Sequence, residues 1–369
     1  MKFEKSDFKN GNQTLKCFLC CPQCEDCQGS NANKKYPVAI FIGEKSKGSS
    51  LSKKYAKDFA KMGFAAVVYD FSISEDEKNT QDNLEKAIFN EKENLKAIIQ
   101  SVCELPFADK NNITLTGFGF GGFAAALAAE ELQQKIKRLI LFYPTFAACE
   151  DSAFDRIKKY KGSVLIIHGS SDTVVNPDSS KKLCNAYLSE RGNIPVKDVQ
   201  LVFVDGATHG FIGEDKNLWN RYALFAITKV LQGKTLFFNV DVNLTHADNE
   251  NLSDGGVRVK VYFKGHSESL YFRGDVETPV YDEQIYHSPV PDSCCAEYRV
   301  LGKDYTGKDC WVKIKNYLSK PARAKKVDWY TDWKPTVSTD SEALSQVNKV
   351  DCETYAEMRS TGPFIHIWG

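Results

Sequence analysis

No apolar run in this sequence approaches the ~20 residues that a bilayer-crossing helix needs. Runs such as Phe123–Ala129 and Val164–Ile167 are only core-sized. The first residues, MKFEKSDFKNGNQ, lack the apolar stretch of a secretory signal. An excess of either charge is also missing: 48 Lys and Arg balance 48 Asp and Glu, for a net charge of zero. That balance excludes a broadly basic nucleic-acid binder and a polyacidic tail. Twelve cysteines in 369 residues fall short of disulfide-scaffold density. The expectation is a soluble, cytoplasmic protein with mostly free thiols and neither membrane nor nucleic-acid partners. What is present is core material: 42% hydrophobic and 12% aromatic residues exclude wholesale disorder. At ~150 residues per domain the length suggests about two domains.

Residues 36–232 alternate two patterns. Val38–Ile42, Phe64–Tyr69, Ile113–Thr116, Leu139–Phe142, Val164–Ile167 and Val199–Val204 are short apolar runs. Between them lie segments with helical spacing, such as Leu51, Tyr55, Phe59 and Met62, or Leu84, Ile88, Leu95, Ile98, Ile99 and Val102. Further helices are expected to about Glu130 and over Phe154–Tyr160, Ser179–Leu188 and Leu218–Leu231. Short apolar strands joined by helices imply a doubly wound, mostly parallel α/β sheet with both faces covered. After Gly233 the pattern becomes short, alternating and aromatic: Leu236–Leu244, Val257–Phe263, Leu270–Phe272, Ala296–Leu301 and Trp311–Ile314. The division predicted is an α/β domain over 1–234 and a smaller all-β barrel or sandwich over 235–369.

The stretch Ile113-Thr-Leu-Thr-Gly117-Phe118-Gly119-Phe120-Gly121-Gly122 runs from a strand through a tight glycine turn into a helix of small residues. That is the context of a nucleophile elbow, G-x-S-x-G. Its outer glycines let strand and helix approach closely. Its central residue, Gly119, is neither Ser nor Cys. Two later strands also end in loops bearing chemistry: HGSSDTVV at 168–175 supplies Asp172, and ATHGF at 207–211 supplies His209. The order elbow, acid, histidine, each after a strand, is that of the α/β-hydrolases. GFGFGG in this context is an elbow and not a phosphate-cradling G-x-G-x-x-G, so no cofactor is implied.

On GFGFGG, HGSSDTVV and ATHGF, residues 15–232 resemble the α/β-hydrolase superfamily, in particular its lidless dienelactone-hydrolase-like branch. The resemblance implies hydrolysis of esters, lactones or related acyl compounds, with Cys or Ser at position 119, Asp172 as acid and His209 as base. Phe120 and Gly43 would offer backbone N–H groups to an oxyanion. Glu44, Ser72 and Phe211 would line the substrate pocket, with Asp70 at the same sheet edge. Two departures stand out. Gly119 removes the attacking side chain, so no acyl-enzyme forms there. Ile42-Gly43-Glu44-Lys45 replaces the His-Gly that many relatives carry. The absent nucleophile fits an engineered knock-out or a natural pseudoenzyme that binds without cleaving. The expected partner is an ester, lactone or acyl ligand. The alternative is a ligand-binding or assembly protein that forms a homo-oligomer through the β domain.

Other features have plainer readings. His168 ends a buried strand and is read as structural. His246, His266, His287 and His366 share no spacing. The cluster Cys17, Cys20, Cys21, Cys24 and Cys27 has C-x-x-C spacing suited to Zn²⁺, without the usual second knuckle, and could alternatively hold a disulfide or thiols with no special role. It is read as an N-terminal hairpin over 15–30, with Leu15–Leu19 an edge strand presenting Cys17 and Leu19 on one face. In the β region, Gly274-Asp-Val, Asp282-Glu-Gln284, Cys295-Ala-Glu-Tyr298, Asp304-Tyr-Thr-Gly307 and Ile314-Lys-Asn316 resemble an uncharacterised family of small β-barrels. Hairpin chemistry accounts for their Gly and Asp equally well. The aromatic-rich tail, Trp329, Tyr330 and Trp333 and then Phe364–Trp368, could pave a sugar- or ring-binding surface and is read as core packing of a small β domain.

Overall fold

The computed structural model describes residues 2–22, 34–44, 49–71, 80–146, 151–192, 197–319 and 328–369. It divides into two units, Met1–Ile227 and Thr228–Gly369. Among the described residues no helix is long and apolar enough to cross a membrane.

The first unit begins with four short strands, β1 (Glu4–Lys5), β2 (Phe8–Asn10), β3 (Gln13–Leu15) and β4 (Cys17–Cys20). There follow β5 (Tyr36–Glu44), α1 (Ser49–Lys61), β6 (Ala65–Phe71), α2 (Gln81–Glu104), β7 (Ala108–Phe118) and α3 (Phe120–Glu131). The rest is β8 (Ile136–Phe142), α4 (Asp151–Ile157), β9 (Ser163–Gly169), α5 (Asp178–Ser189), β10 (Val199–Val204) and α6 (Lys216–Leu231), the last running into the second unit. One sheet has the order β1-β4-β6-β5-β7-β8-β9-β10. From β6 to β10 every neighbouring pair is parallel. The middles of the strands are apolar because helices cover both faces; Val38–Ile42 and Val164–Ile167 are fully buried. Amphipathic α2 buries Leu84, Ile88, Leu95, Ile98, Ile99 and Val102, and Thr80 caps it by accepting from the Asn83 N–H. By contrast α3 is buried over Gly121–Ala129, so its small residues suit a helix enclosed on all sides. The chain steps from β5 to β6 on one side and returns to β7 on the other. The turn after β7 therefore sits at the switch point, where open α/β sheets bind ligands.

The N-terminal segment differs from expectation. Instead of an edge strand at Leu15–Leu19, β2 and β3 pair separately and β4 lies inside the sheet, antiparallel to both β1 and β6; most of the hairpin expected over 15–30 lies outside the described residues. Cys17 and Cys20 are buried while Leu19 is not, so strict alternation from Leu15 fails. The antiparallel ladder to Tyr69–Ala66 sets which side chains point inward. Burial, with Asp7 and Asp70 nearby, pushes the Cys17 thiol up to about 12, which opposes the thiolate a metal needs. Cys21 is disulfide-bonded. Cys24 and Cys27 lie outside the described residues, among which no metal-binding group of His, Cys, Asp and Glu occurs.

The second unit is antiparallel throughout. Its strands are β11 (Leu236–Asn251), β12 (Val257–Glu268), β13 (Phe272–Val276), β14 (Tyr281–Tyr286), β15 (Ser293–Asp304), β16 (Asp309–Ser319), β17 (Lys334–Thr339), β18 (Glu353–Arg359) and β19 (Gly362–Trp368). Their order is β17-β16-β15-β13-β12-β11-β19-β18, with β14 pairing both β12 and β15. Thr354 on β18 donates to Asn316 Oδ1 on β16 at 3.3 Å, so the two ends of the sheet curl toward each other. Phe238, Val240, Val300, Val312, Ile314 and Ile367 form the dry centre. The strand expected at Leu270–Phe272 starts instead at Phe272, and Gly274 lies within it. Gly274 faces Gly302 across the ladder. A Cβ at Gly274 would stand 2.3 Å from the Leu301 carbonyl oxygen, so this glycine serves close strand approach and not a turn. Asp304 does make a turn, accepting from the Thr306 N–H at 2.9 Å.

Candidate active site

Two loops, one bearing Asp172 and the other His209, are tied together at the ends of β9 and β10. Ser171 N–H donates to the Ala207 carbonyl at 3.0 Å, and Gly206 N–H to Ser170 Oγ at 2.8 Å. A Cβ at Gly169 would lie 2.2 Å from the Ala207 oxygen, so only glycine allows this approach. Asp172 on the first loop is 5% exposed. Its Oδ1 accepts from the backbone N–H groups of Val174 and Val175, both at 2.9 Å. Its Oδ2 accepts from His209 Nδ1–H at 2.9 Å. The carboxylate thus caps its own turn and orients the imidazole at once. His168, fully buried, donates from Nε2 to the Val175 carbonyl at 3.0 Å and stands 3.3 Å from Asp172 Oδ2. Ser180 donates to its Nδ1 at 2.7 Å. Burial alone would raise the Asp172 carboxyl, but the bonds from His168, His209, Val175 and Val174 outweigh it and hold the group well below the usual carboxylate range. The bond to Asp172 leaves the acceptor lone pair of a neutral His209 ring on Nε2. The His209 side chain is 25% exposed, whereas that of Asp172 is fully buried.

Gly119 follows β7 and caps α3 at φ 54°, ψ −122°. Its N–H donates to the Phe142 carbonyl at 3.1 Å, and its own carbonyl accepts from Thr145 N–H at 3.3 Å. Between those partners stands Tyr143, whose ring centroid is 4.7 Å from that of His209. The turn that carries Gly119 and the imidazole therefore share one neighbour. Apart from Gly119 and its two chain neighbours, no atom of the described residues lies within 4 Å of a Cβ built at Gly119. At Gly117 the same Cβ would meet the Gly121 oxygen at 2.5 Å. The two glycines do different things: one lets strand and helix cross, the other leaves a gap where a side chain would stand.

A sharp strand-to-helix turn with an acid–histidine pair on the two later strands defines a family, and the family comparison agrees. The model of the dienelactone hydrolase family matches residues 27–240. The chain belongs to the dienelactone hydrolase family. A search of curated proteins finds no match. Similar solved structures include Est1E from Butyrivibrio proteoclasticus, at 18% identity and TM-score 0.47 over 62% of this chain and 99% of that one. Another is Thermogutta terrifontis esterase 2 phosphorylated by paraoxon, at 18% identity and TM-score 0.48 over 62% and 93%.

Within this dienelactone hydrolase scaffold the remaining candidate residues fall as follows. Phe120 is the first residue of α3, where a helix leaves backbone N–H groups unused by its own turns. Ile42 pairs with Gly117, so Gly43 and Glu44 end β5 beside the elbow strand. Glu44 is described in its backbone only, and Ser72 lies outside the described residues. Asp70, opposite Gly43, stands 3.9 Å from Lys53 Nζ. Phe211 is 2% exposed, its ring centroid 6.0 Å from those of Phe142 and Tyr143. Sequence reasoning missed Tyr143. Its φ of 36°, like the 53° of Phe211, is a left-handed conformation that bulky residues rarely adopt. Such strain gathers at functional sites, and no residue pattern announces it.

Proposed function

We propose that this chain is an acyl-binding member of its family that has kept the acid and the base of an ester or lactone hydrolase and lacks the nucleophile. The ligand is a small ester, lactone or acyl compound. Its carbonyl would sit over Gly119, with its oxygen toward the Phe120 N–H and the Gly43 end of β5. The hydrogen-bonded Asp172–His209 pair, which shares Tyr143 as a neighbour with the side-chain-free elbow, carries this reading. With glycine at 119 the bound ligand is held but turned over poorly, since deleting a triad nucleophile costs on the order of 10⁶ in kcat.

Restoring the nucleophile tests the proposal. In Gly119→Ser or Gly119→Cys, the new hydroxyl or thiol attacks the carbonyl and His209 Nε2 takes its proton. The same proton passes to the leaving alcohol, and water repeats the cycle on the acyl-enzyme. Cleavage of p-nitrophenyl esters by either variant, at least ~10³ above the parent chain, is the expected result. No gain with either residue, in protein shown folded by circular dichroism, defeats it. The parent chain itself should bind a short-chain ester without releasing p-nitrophenol.

A further inference from the structure

The second unit holds a cavity of about 140 Å³ that the hydrolase reading does not use. Its walls come from both halves of the curled sheet: Val242 and Leu244 on β11, Phe263 on β12, Ala296 on β15, Ala356 on β18 and Ile365 on β19. Trp329 and Trp333 add two indole rings, held by a bond from Trp333 Nε1–H to the Trp329 carbonyl at 2.9 Å. A cavity of that volume with apolar walls has room for a single-ring guest.

Polar groups enter this apolar space, and two of them are unanswered. Tyr298 is 4% exposed, and its hydroxyl has no hydrogen-bond partner among the described residues. Asp282 Oδ1 is shielded from solvent and likewise has no partner there, while Oδ2 accepts from the Gln284 amide at 2.6 Å. Asn316, 2% exposed, and Thr354 complete the polar lining. Buried polar atoms of this kind are normally paired, so each unanswered one points to a missing partner. Among the described residues no Lys, Arg or His forms an ion pair with Asp282; Arg258, on the strand that pairs β14, is taken by Glu250 and Glu283. Asp282, the one acid in the lining, thus shares the cavity with two indole rings and has no ion-pair partner among the described residues.

We infer that the second unit binds a small arylalkyl amine of the benzylamine kind in this cavity, its ring among the apolar walls and its ammonium on Asp282 and Tyr298. The amine supplies the charge that the carboxylate lacks, and the hydroxyl takes up the remaining hydrogen-bonding capacity. An anion would meet like charge at Asp282. A neutral guest would leave the carboxylate buried without a counter-ion, which is costly. The indole faces add attraction for a cation. Burial pushes the Asp282 carboxyl up to about 6 against the pull of the Gln284 amide and the Cys295 backbone, as expected for an acid waiting for its partner. Four of the polar residues, Asp282, Gln284, Tyr298 and Asn316, belong to the short motifs that hairpin chemistry leaves only partly explained. This site is independent of Gly119 and of the acyl-binding reading.

The test is a binding series on the full chain with benzylamine, benzyl alcohol, toluene and benzoate, followed by calorimetry and tryptophan fluorescence. Benzylamine should bind most tightly and benzoate least. Asp282→Asn should weaken benzylamine about tenfold or more and leave toluene unchanged. Ala296→Leu, which fills the cavity, should abolish both. Benzylamine no better than benzyl alcohol or toluene overturns the proposal, as does a failure of all four to bind. The same holds for benzylamine binding that survives either substitution. The selectivity series on the unsubstituted chain needs no variant to fold.

Discussion

Gly119 carries a backbone conformation that a side chain would resist, and this sets the cost of restoring one. At φ 54°, ψ −122° any L-residue is strained by about 1–3 kcal/mol. Gly119→Ser should therefore lower stability by roughly that amount while raising esterase activity, a trade visible as a reduced urea midpoint beside a gained rate. The acid has its own signature. Asp172 is held below the usual carboxylate range when folded, so its contribution is present above the unfolded value of ~3.9 and is lost as pH falls through the acid range. Asp172→Asn should be less stable than the parent at about pH 7, and the difference should shrink toward about pH 3. A gap of equal size at both values would mean the carboxylate's charge contributes nothing. In the Gly119→Cys background the same substitution should lower kcat by about 10⁴, because the imidazole loses the partner that sets its tautomer. Asp172 and His209 are legible in the sequence because each follows an apolar strand, the first as the one acid and the second as the one histidine of its loop. The second function of Asp172, capping its own turn through Val174 and Val175, coexists with the first because each carboxylate oxygen serves one of them.

At the scale of elements, the crossing of β7 and α3 is decided by Gly117. A methyl there would press on backbone atoms of Gly121 and Gly122 at 2.5–2.8 Å, none of which can swing aside. Gly117→Ala should therefore cost about 3 kcal/mol or more, against about 1–3 kcal/mol of conformational strain for Gly119→Ala. Denaturant titration of the two variants separates a packing glycine from a conformational one, and equal losses would contradict the assignment. The parallel strands β5 to β10 and their helices are readable because burial on both faces makes a continuous apolar run in the middle of each strand while a covering helix keeps a stripe. The interior position of β4 is not readable. A short strand, Cys-Phe-Leu-Cys, has too little pattern to show which neighbours it takes. The β region shows the converse limit: Gly274 looks like punctuation in the sequence, yet it sits mid-strand opposite a second glycine.

For the molecule as a whole, the two units differ in how locally they are specified. In the first, each strand–helix step is contiguous, so periodicity along the chain predicts the order of construction. In the second, strands from opposite ends of the sequence meet: β19, the last, pairs β11, the first, and inserts between it and β18. β14, β17 and β18 escape a reading of the sequence for this reason, since Tyr281–Tyr286 and Lys334–Thr339 gain their register from neighbours and not from their own alternation. The closing strand is correspondingly indispensable. Ile367 and Trp368 are fully buried, and Gly369 exchanges both backbone bonds with Thr235 at 2.8 and 3.0 Å. Removing residues 362–369 would strip the ladder partners from two strands and empty the core beneath them. Each buried backbone group left unpaired costs about 1–3 kcal/mol, and a handful exceeds the ~5–15 kcal/mol that holds a typical domain together. Such a truncation should lose the near-ultraviolet circular dichroism of Trp311, Trp329 and Trp333 and become protease-sensitive across 228–361. A truncated chain that keeps both the signal and the protection would show that the sheet closes without its last strand.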